Sequence, residues 1–308
     1  MDIDTRVLRY FIAVAEQLSF TRAARELFLT QPSLSRQIQR LESDLGLRLI
    51  VRSGREIRLT EAGEALLPLA RGVVSEWEAA LREVRGAEAA RQRLLRIGFV
   101  ATGAGALGRR ARALLLAGRP GVRVEPKRFE WGGEAEALRR GLVDVAFVWL
   151  PADLEGLDHE VVAEENRWVA VAASHRLGGS QDPVGITELR DEPLLWTGRA
   201  PRAWVDWWAV NPRPDGSAPV WGPQNDNVEE MLEHTATGTS VCFGTESMAA
   251  YYAHPDLVWR PLAGVDPLRI ALAWPHGTDT DLVRAFRSAV REAGRTTTEG
   301  TGEAAGPG

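Results

Sequence analysis

The residues that could do chemistry in this 308-residue chain are few, and their spacing argues against catalysis. Five histidines (His159, His175, His234, His254, His276) show no metal-ligand spacing, and neither a Gly-x-Ser-x-Gly elbow nor a phosphate loop occurs. Thr102-Gly103-Ala104-Gly105 is glycine-rich but lacks the lysine of a P-loop. One cysteine, Cys242, excludes an internal disulfide and a multi-cysteine zinc site, and its type suits a small buried residue better than a nucleophile. We therefore expect no enzyme, no catalytic residue, no metal and no cofactor. The side chains that do fall in a useful pattern are Gln, Ser and Arg between Thr30 and Arg40, which can hydrogen-bond base edges or phosphates.

The elements that must position them follow from periodicity. Leu34, Ile38, Leu41 and Leu45 recur at +4, +3 and +4, which lays them on one helical face. At about 100° per residue, Pro32, Arg36, Gln39, Arg40 and Ser43 point the other way. Thr30 is placed as an N-cap whose hydroxyl satisfies an orphan N–H, and Pro32 suits the first turn. A solvated surface helix is the plain alternative for such a face. The neighbourhood argues otherwise. Leu8, Phe11, Ile12, Ala15 and Leu18 form a helical stripe upstream, and Ala23, Ala24 and Leu27 a second one. Downstream, 47–51 and 56–59 flank Arg52-Ser53-Gly54-Arg55 as a hairpin with a basic tip. Three short helices and a basic hairpin predict a winged helix-turn-helix, mostly α, over 1–60.

Residues 5–65 resemble the DNA-binding domain of the LysR-type transcriptional regulators. The likeness runs from Leu8-Arg9-Tyr10-Phe11 through Ser19-Phe20-Thr21, Ala23-Ala24 and Gln31-Pro32-Ser33-Leu34-Ser35. It continues through Ile38, Leu41-Glu42 and Leu45-Gly46 to Leu59-Thr60-Glu61-Ala62-Gly63. Thr30, Gln31, Pro32, Ser33, Ser35, Arg36, Gln39 and Arg40 are then the candidate groove contacts. Arg36 is placed for a bidentate contact to guanine, and Gln31 for adenine or phosphate. Arg52 and Arg55 would neutralise phosphate or enter the minor groove.

Charge agrees with this division. Residues 1–60 hold ten Arg against seven acids, while the remainder holds 27 basic against 35 acidic residues. Lys127 is the one lysine, so basic contacts in the first module come from Arg. No apolar run approaches the roughly 20 residues of a membrane helix, and the start lacks the pattern of a signal peptide. A cytoplasmic location without a membrane partner is expected.

Residues 61–90 read as one long helix capped by Thr60. Leu66, Ala70, Val73, Trp77, Ala80 and Val84 form a seam of about three heptads, which suits pairing with a second copy, although packing on its own domain is the alternative. The resemblance places the family's dimerising linker helix here. It implies a homodimer or homotetramer on double-stranded DNA with an imperfect palindrome, and contact with RNA polymerase if the protein activates. Gly86–Arg93 is the expected hinge.

From Leu94 the chain alternates strands and helices, which predicts parallel-sheet α/β subdomains over 91–293. This half resembles the family's effector-binding domain, which is like a type 2 periplasmic-binding protein. The matching stretches are Leu95-Arg96-Ile97-Gly98-Phe99, Leu138–Val148, Thr237-Gly238-Thr239-Ser240-Val241 and Trp259-Arg260-Pro261-Leu262. The implied subdomains are 91–163 with 268–293, and 164–267, with crossings near 163–167 and 263–268. Residues 294–308 carry no apolar periodicity and read as a disordered tail.

A small-molecule effector, or co-inducer, would lie beyond the carboxyl ends of the strands. Thr102 and Gly103 follow the first strand, Glu130 and Trp131 the second, and Trp149 ends the third. Thr197, Arg199, Phe243 and Thr245 face them across the cleft. Thr102 would equally cap the following helix. Two indoles where the family often has a hydroxyl residue and Arg favour a flat aromatic ligand, or a cation held near Glu130. Arg199 or Arg202 could hold a carboxylate. Trp204, Trp207, Trp208 and Trp259 read as packing. A solute-binding protein without a regulatory role, and a regulator that has lost effector sensing, stay open beside this reading.

Overall fold

The computed structural model describes residues 4–53, 56–91 and 93–300, and side chains are described for all of these except 52, 53, 56, 89–91 and 296–300. The chain divides into two units, Met1–Val84 and Arg85–Gly308.

The first unit opens with α1 (Thr5–Gln17), α2 (Phe20–Glu26) and α3 (Gln31–Leu45). Asp4 and Ser19 cap the first two through their side chains, as short polar residues at N-caps do. Thr30 sits at the N-cap of α3, but its hydroxyl makes no cap bond. Pro32 lacks an N–H, which removes one of the two donors a cap addresses, and so corrects the expected role. Leu8, Phe11, Ala23, Ala24, Leu34, Ile38 and Leu41 are buried in one core, and Ala15 is buried as well. Leu18, expected in the helix-one stripe, instead ends α1 with φ 44° and is exposed.

The wing is β1 (Ile50–Ser53) antiparallel to β2 (Glu56–Leu59), with Ile50 opposite Leu59. The first strand starts three residues later than the apolar run suggests. Buried Glu42 explains this: its Oε1 accepts from Leu49 N at 2.8 Å and Ile50 N at 3.1 Å, so the chain from α3 is tied to a side chain before it joins the ladder. Helix α4 (Glu61–Arg91) follows. Thr60 caps it by accepting from Gly63 N at 3.0 Å, while its own hydroxyl donates to Arg48 O at 2.6 Å. The helix runs through Gly86 to Arg91, so the expected hinge is helical there; Ala87, Glu88, Ala89, Ala90 and Arg91 are good helix formers that outweigh one glycine.

The second unit contains β3 (Leu94–Phe99), α5 (Gly105–Gly118), β4 (Arg123–Arg128), α6 (Glu134–Arg139), β5 (Val145–Trp149) and β6 (Leu157–Glu165). The chain then crosses at Asn166 into β7 (Arg167–Ala172), β8 (Val184–Gly185), β9 (Leu194–Trp196), α7 (Arg202–Ala209), β10 (Trp221–Gln224), α8 (Val228–Ala236), β11 (Cys242–Thr245), α9 (Glu246–Tyr251) and β12 (Leu257–Ala263). It returns through residues 264–267 to β13 (Leu268–Pro275) and α10 (Asp281–Gly300). One sheet has the order β4-β3-β5-β13-β6, and the other β11-β7-β12-β8 with the pair β10-β9 beside it. Both are mixed, which corrects the expectation of parallel sheets. β13 runs antiparallel to β5 and β6, and β7 antiparallel to β11 and β12, because each return from one subdomain to the other reverses the strand direction.

Arg96 binds Asp144 in a fork (Nη2 to Oδ1 2.6 Å, Nε to Oδ2 3.2 Å) and the Gly141 carbonyl at 3.0 Å, which locks β3 to the turn before β5. Helix α10 continues through Gly300, correcting the expected disorder of 294–300. Residues Arg295–Glu299 include no proline, and a formed helix propagates at one bond per residue. Residues 301–308 lie outside the described ones. Among the described residues, no helix is long and apolar enough to cross a membrane.

Candidate DNA-recognition face and effector site

In the first unit, α3 buries Leu34, Ile38 and Leu41 and exposes Gln31, Pro32, Arg36, Gln39 and Arg40. Thr30 is exposed and Ser33 half-buried. Ser35 is buried, at 9 % exposure, which corrects its place among the groove contacts. It lies about 100° round the helix from Leu34, on the same flank as buried Glu42. Arg55 and the side chain of Arg52 fall outside the described residues; the Arg52 backbone pairs with Ile57.

The seam of α4 splits. Ala70 is buried and Leu66 packs with it against the winged-helix core, so these two serve their own domain. Val73, Trp77 and Val84 stay exposed, Ala80 also faces solvent, and Leu69 joins them at 66 % exposure. Spacing alone cannot separate the two roles, because both faces are apolar.

In the second unit, the cleft expected between the subdomains is filled by indoles. Helix α7 presents Trp204 and Trp208 at i and i+4, stacked at 5.5 Å with an interplanar angle of 8°. Trp208 stacks on Trp149 at 5.7 Å, and Trp131 lies 6.4 Å from Trp149 and 6.3 Å from Trp204. Two of the indole N–H groups are used: Trp149 Nε1 donates to Gly103 O at 2.9 Å, and Trp131 Nε1 to Asn225 Oδ1 at 3.0 Å. A cavity of about 20 Å³ remains, lined by Trp131, Thr197, Trp204, Trp208, Asn225 and Phe243 among others. That volume holds roughly one water, against the several hundred Å³ of a ligand pocket.

The structure brings some of the expected effector residues together. Trp131, Thr197 and Phe243 line one cavity, and Trp149 adjoins it through Trp131 and Trp208. Thr102 does not cap α5, whose first residue is Gly105. Its hydroxyl meets Ser247 Oγ at 2.6 Å, and Ser247 meets Thr245 Oγ1 at 3.1 Å, a hydroxyl chain that joins the two subdomains. Glu130 is half-buried beside Arg128. Arg199 pairs with Asp226 at 2.6 Å and Arg202 with Asp206 at 2.8 Å, so both proposed carboxylate holders already have carboxylates.

Burial of charged groups escaped the sequence: besides Glu42 and Arg260, three more are buried among the described residues. Glu134, at 2 % exposure, has its carboxyl pushed up to about 7 by burial, against the opposing effect of backbone N–H groups of Glu134 and Trp149. Arg167 and Arg213 are buried at 2 % and 5 % exposure. A run of β-forming residues after Arg167 hints at burial, but nothing around Pro212-Arg213-Pro214 does. Cys242 is buried, with its thiol pushed up to about 12 by burial, and is inert.

Comparison with known proteins settles the class. Residues 5–64 match the family described as "Bacterial regulatory helix-turn-helix protein, lysR family", and residues 88–295 match "LysR substrate binding domain". The chain belongs to the LysR family. Its relatives include the transcriptional regulator BenM of Acinetobacter baylyi, 33 % identical over 65 % of this chain and 66 % of that one. The Hca operon transcriptional activator HcaR of Escherichia coli is 29 % identical over 94 % of this chain and 98 % of its own. Among solved structures, full-length CbnR complexed with target DNA aligns with TM-score 0.54 and 26 % identity, covering 95 % of this chain and 100 % of CbnR. This LysR-type protein is a DNA-binding transcriptional regulator, with a winged helix-turn-helix, a long linker helix and an effector-binding domain of two α/β subdomains.

Proposed function

We propose that this LysR-type regulator works in the cytoplasm as a dimer, or a dimer of dimers, and reads an imperfect palindrome through α3 without catalysing a reaction. One observation carries this reading: α3 seals Leu34, Ile38 and Leu41 in the core and leaves Gln31, Pro32, Arg36, Gln39 and Arg40 exposed along one face. CbnR supports it, since its solved complex contains its target DNA. The exposed stripe of Leu69, Val73, Trp77, Ala80 and Val84 on α4 supplies the face that a second copy would cover, and symmetric half-sites follow from a two-fold pair. Footprinting on the DNA flanking the coding region tests the proposal. Protection of two half-sites on one face of the duplex supports it, and no protection there or on any selected random sequence overturns it.

For the second unit we propose a flat aromatic effector that takes the place of the α7 indoles between Trp131 and Trp149. A ligand entering there must shift α7, and it would alter the response only by favouring one of two subdomain arrangements. The 20 Å³ cavity favours a second reading, in which Trp204 and Trp208 have replaced the effector and sensing is lost. Titration of intrinsic fluorescence with a panel of aromatic acids and amines separates them: saturable quenching marks a sensor, and a flat response across the panel marks a closed domain.

A further inference from the structure

Three arginines are buried in the subdomain of β7 and β12, and they are treated differently. Arg260 is satisfied by carbonyls: Nε and Nη2 donate to Asp182 O at 2.8 and 2.6 Å, and Nη1 to Leu177 O at 2.7 Å. Arg213 is as deeply buried, yet Nε, Nη1 and Nη2 all lack a hydrogen-bond partner. Arg167 donates from Nη2 to the Trp208 carbonyl and leaves Nε unpartnered. Among the described residues, no carboxylate lies within ion-pair distance of Arg167 or Arg213. Asp215, the acid closest in sequence to Arg213, is bonded to Arg190 and Ser217 and acts on Arg213 only through space, as Asp266 does on Arg167.

The two guanidiniums share one neighbour. Arg167 Cζ lies 5.4 Å from the Phe243 ring centroid and Arg213 Cζ 5.8 Å, which bounds their separation at about 11 Å. Trp207 and Trp208, each 4.9 Å from Arg167 Cζ, complete an aromatic wall. Cation–π contacts return part of the lost hydration, but a buried charge without a partner remains unfavourable. Burial and then the charge of Arg213 pull Arg167 down to about 9, the mark of two like charges in a dry place. A positive, donor-rich interior in which no carboxylate pairs directly with either guanidinium is what a small anion needs.

We propose that Arg213, backed by the charge of Arg167, binds a small anion: a halide or the carboxylate of a small organic acid. The site adjoins the segments where the chain crosses between subdomains, since Arg167 opens β7 immediately after Asn166. It does not rest on the operator reading, and it shares Trp208 and Phe243 with the cavity at Trp131.

The test is thermal unfolding of the full-length protein at constant ionic strength, with sodium gluconate exchanged for sodium chloride or sodium acetate. Wild type should gain a few degrees in Tm saturably, and Arg213→Met should lose that gain. Arg213→Met should also fold in gluconate about as stably as wild type, because replacing a buried charge by an apolar side chain is often neutral or stabilising. Chloride alone raising Tm identifies an inorganic anion; acetate alone identifies an organic acid. Equal Tm of wild type in all three salts overturns the proposal, as does an unchanged anion response in Arg213→Met or a loss of stability in that variant that is equal in every salt. Should Arg213→Met fail to fold, the wild-type titration and Arg167→Met decide. Operator binding by gel shift in gluconate runs in parallel, so that a failed anion site is not mistaken for a failed regulator.

Discussion

Trp149, from the last position of β5, and Trp208, from the last turn of α7, stack at 5.7 Å and 26°, so that the cleft between the subdomains is closed by one residue from each. The hydrophobic cluster around them is shared between subdomains, with Leu95, Ile97 and Phe147 on one side and Leu195, Trp204 and Cys242 on the other. Opening the cleft therefore exposes apolar surface, and any effector must replace it.

Trp208→Ala should leave an indole-sized hole and cost about 2–4 kcal/mol, somewhat under the full core value because Trp208 is half-buried. Free indole added to the variant should restore part of the lost Tm, while wild type should be indifferent. Failure of indole to rescue would mean that the subdomains collapse into the hole.

Glu134 gives the domain a pH dependence whose sign is fixed. Its folded carboxyl titrates near 7 against 4.5 in the unfolded chain, so the folded state binds the extra proton between those values. Stability should fall as pH rises from about 4.5 to about 7, by on the order of 3 kcal/mol. Glu134→Gln should flatten that slope in urea unfolding series at pH 5 and pH 8. An unchanged slope would place the dependence on another group.

Glu42 holds the wing to α3 through Leu49 N and Ile50 N. Glu42→Ala strands two buried donors and should cost about 2–4 kcal/mol. Hydrogen exchange in β1 should accelerate more than in α1, which a general loss of stability would not produce.

Gly63 sits where the first turn of α4 meets the residue before β1: a Cβ there would lie 2.2 Å from the Leu49 carbonyl oxygen. Gly63→Ala must push the helix away from the strand, at a cost of about 1–3 kcal/mol or more. Circular dichroism melts read the loss directly, and a stability equal to wild type would show that the strand yields.

On the recognition face, Arg36→Ala should weaken operator binding by about 1–3 kcal/mol and relax the preference at one base pair. Ser35→Ala should change affinity by less than about 0.5 kcal/mol, since Ser35 is buried. Gel shifts against single-base operator variants measure both. A base-specific loss for Ser35→Ala would return it to the groove.

The amino-acid sequence by itself determined the elements whose signal is local and repeated. The +4, +3 spacing of Leu34, Ile38 and Leu41 placed α3 and its outer face, and the capping type at Thr60 placed a helix start that the structure keeps. The β-rich runs 94–100, 122–129 and 144–149 lie on β3, β4 and β5 within one residue at each end. Charged strands were harder: β6, Leu157–Glu165, lies at a sheet edge, carries acids at 158, 160, 164 and 165, and has only Val161-Val162 as a β-forming run. What only the tertiary structure decided depends on partners distant in sequence. Ser35 is covered although its type suits a groove contact, and Ala70 leaves the seam because the winged-helix core reaches it first. Arg199 and Arg202 are neutralised by Asp226 and Asp206, while Arg167 and Arg213 are buried without a carboxylate. Periodicity reports which face of an element is apolar. It cannot report which other surface arrives to cover that face, because that contact is made between residues 50 to 150 positions apart, as between Trp149 and Trp208 or Thr102 and Ser247.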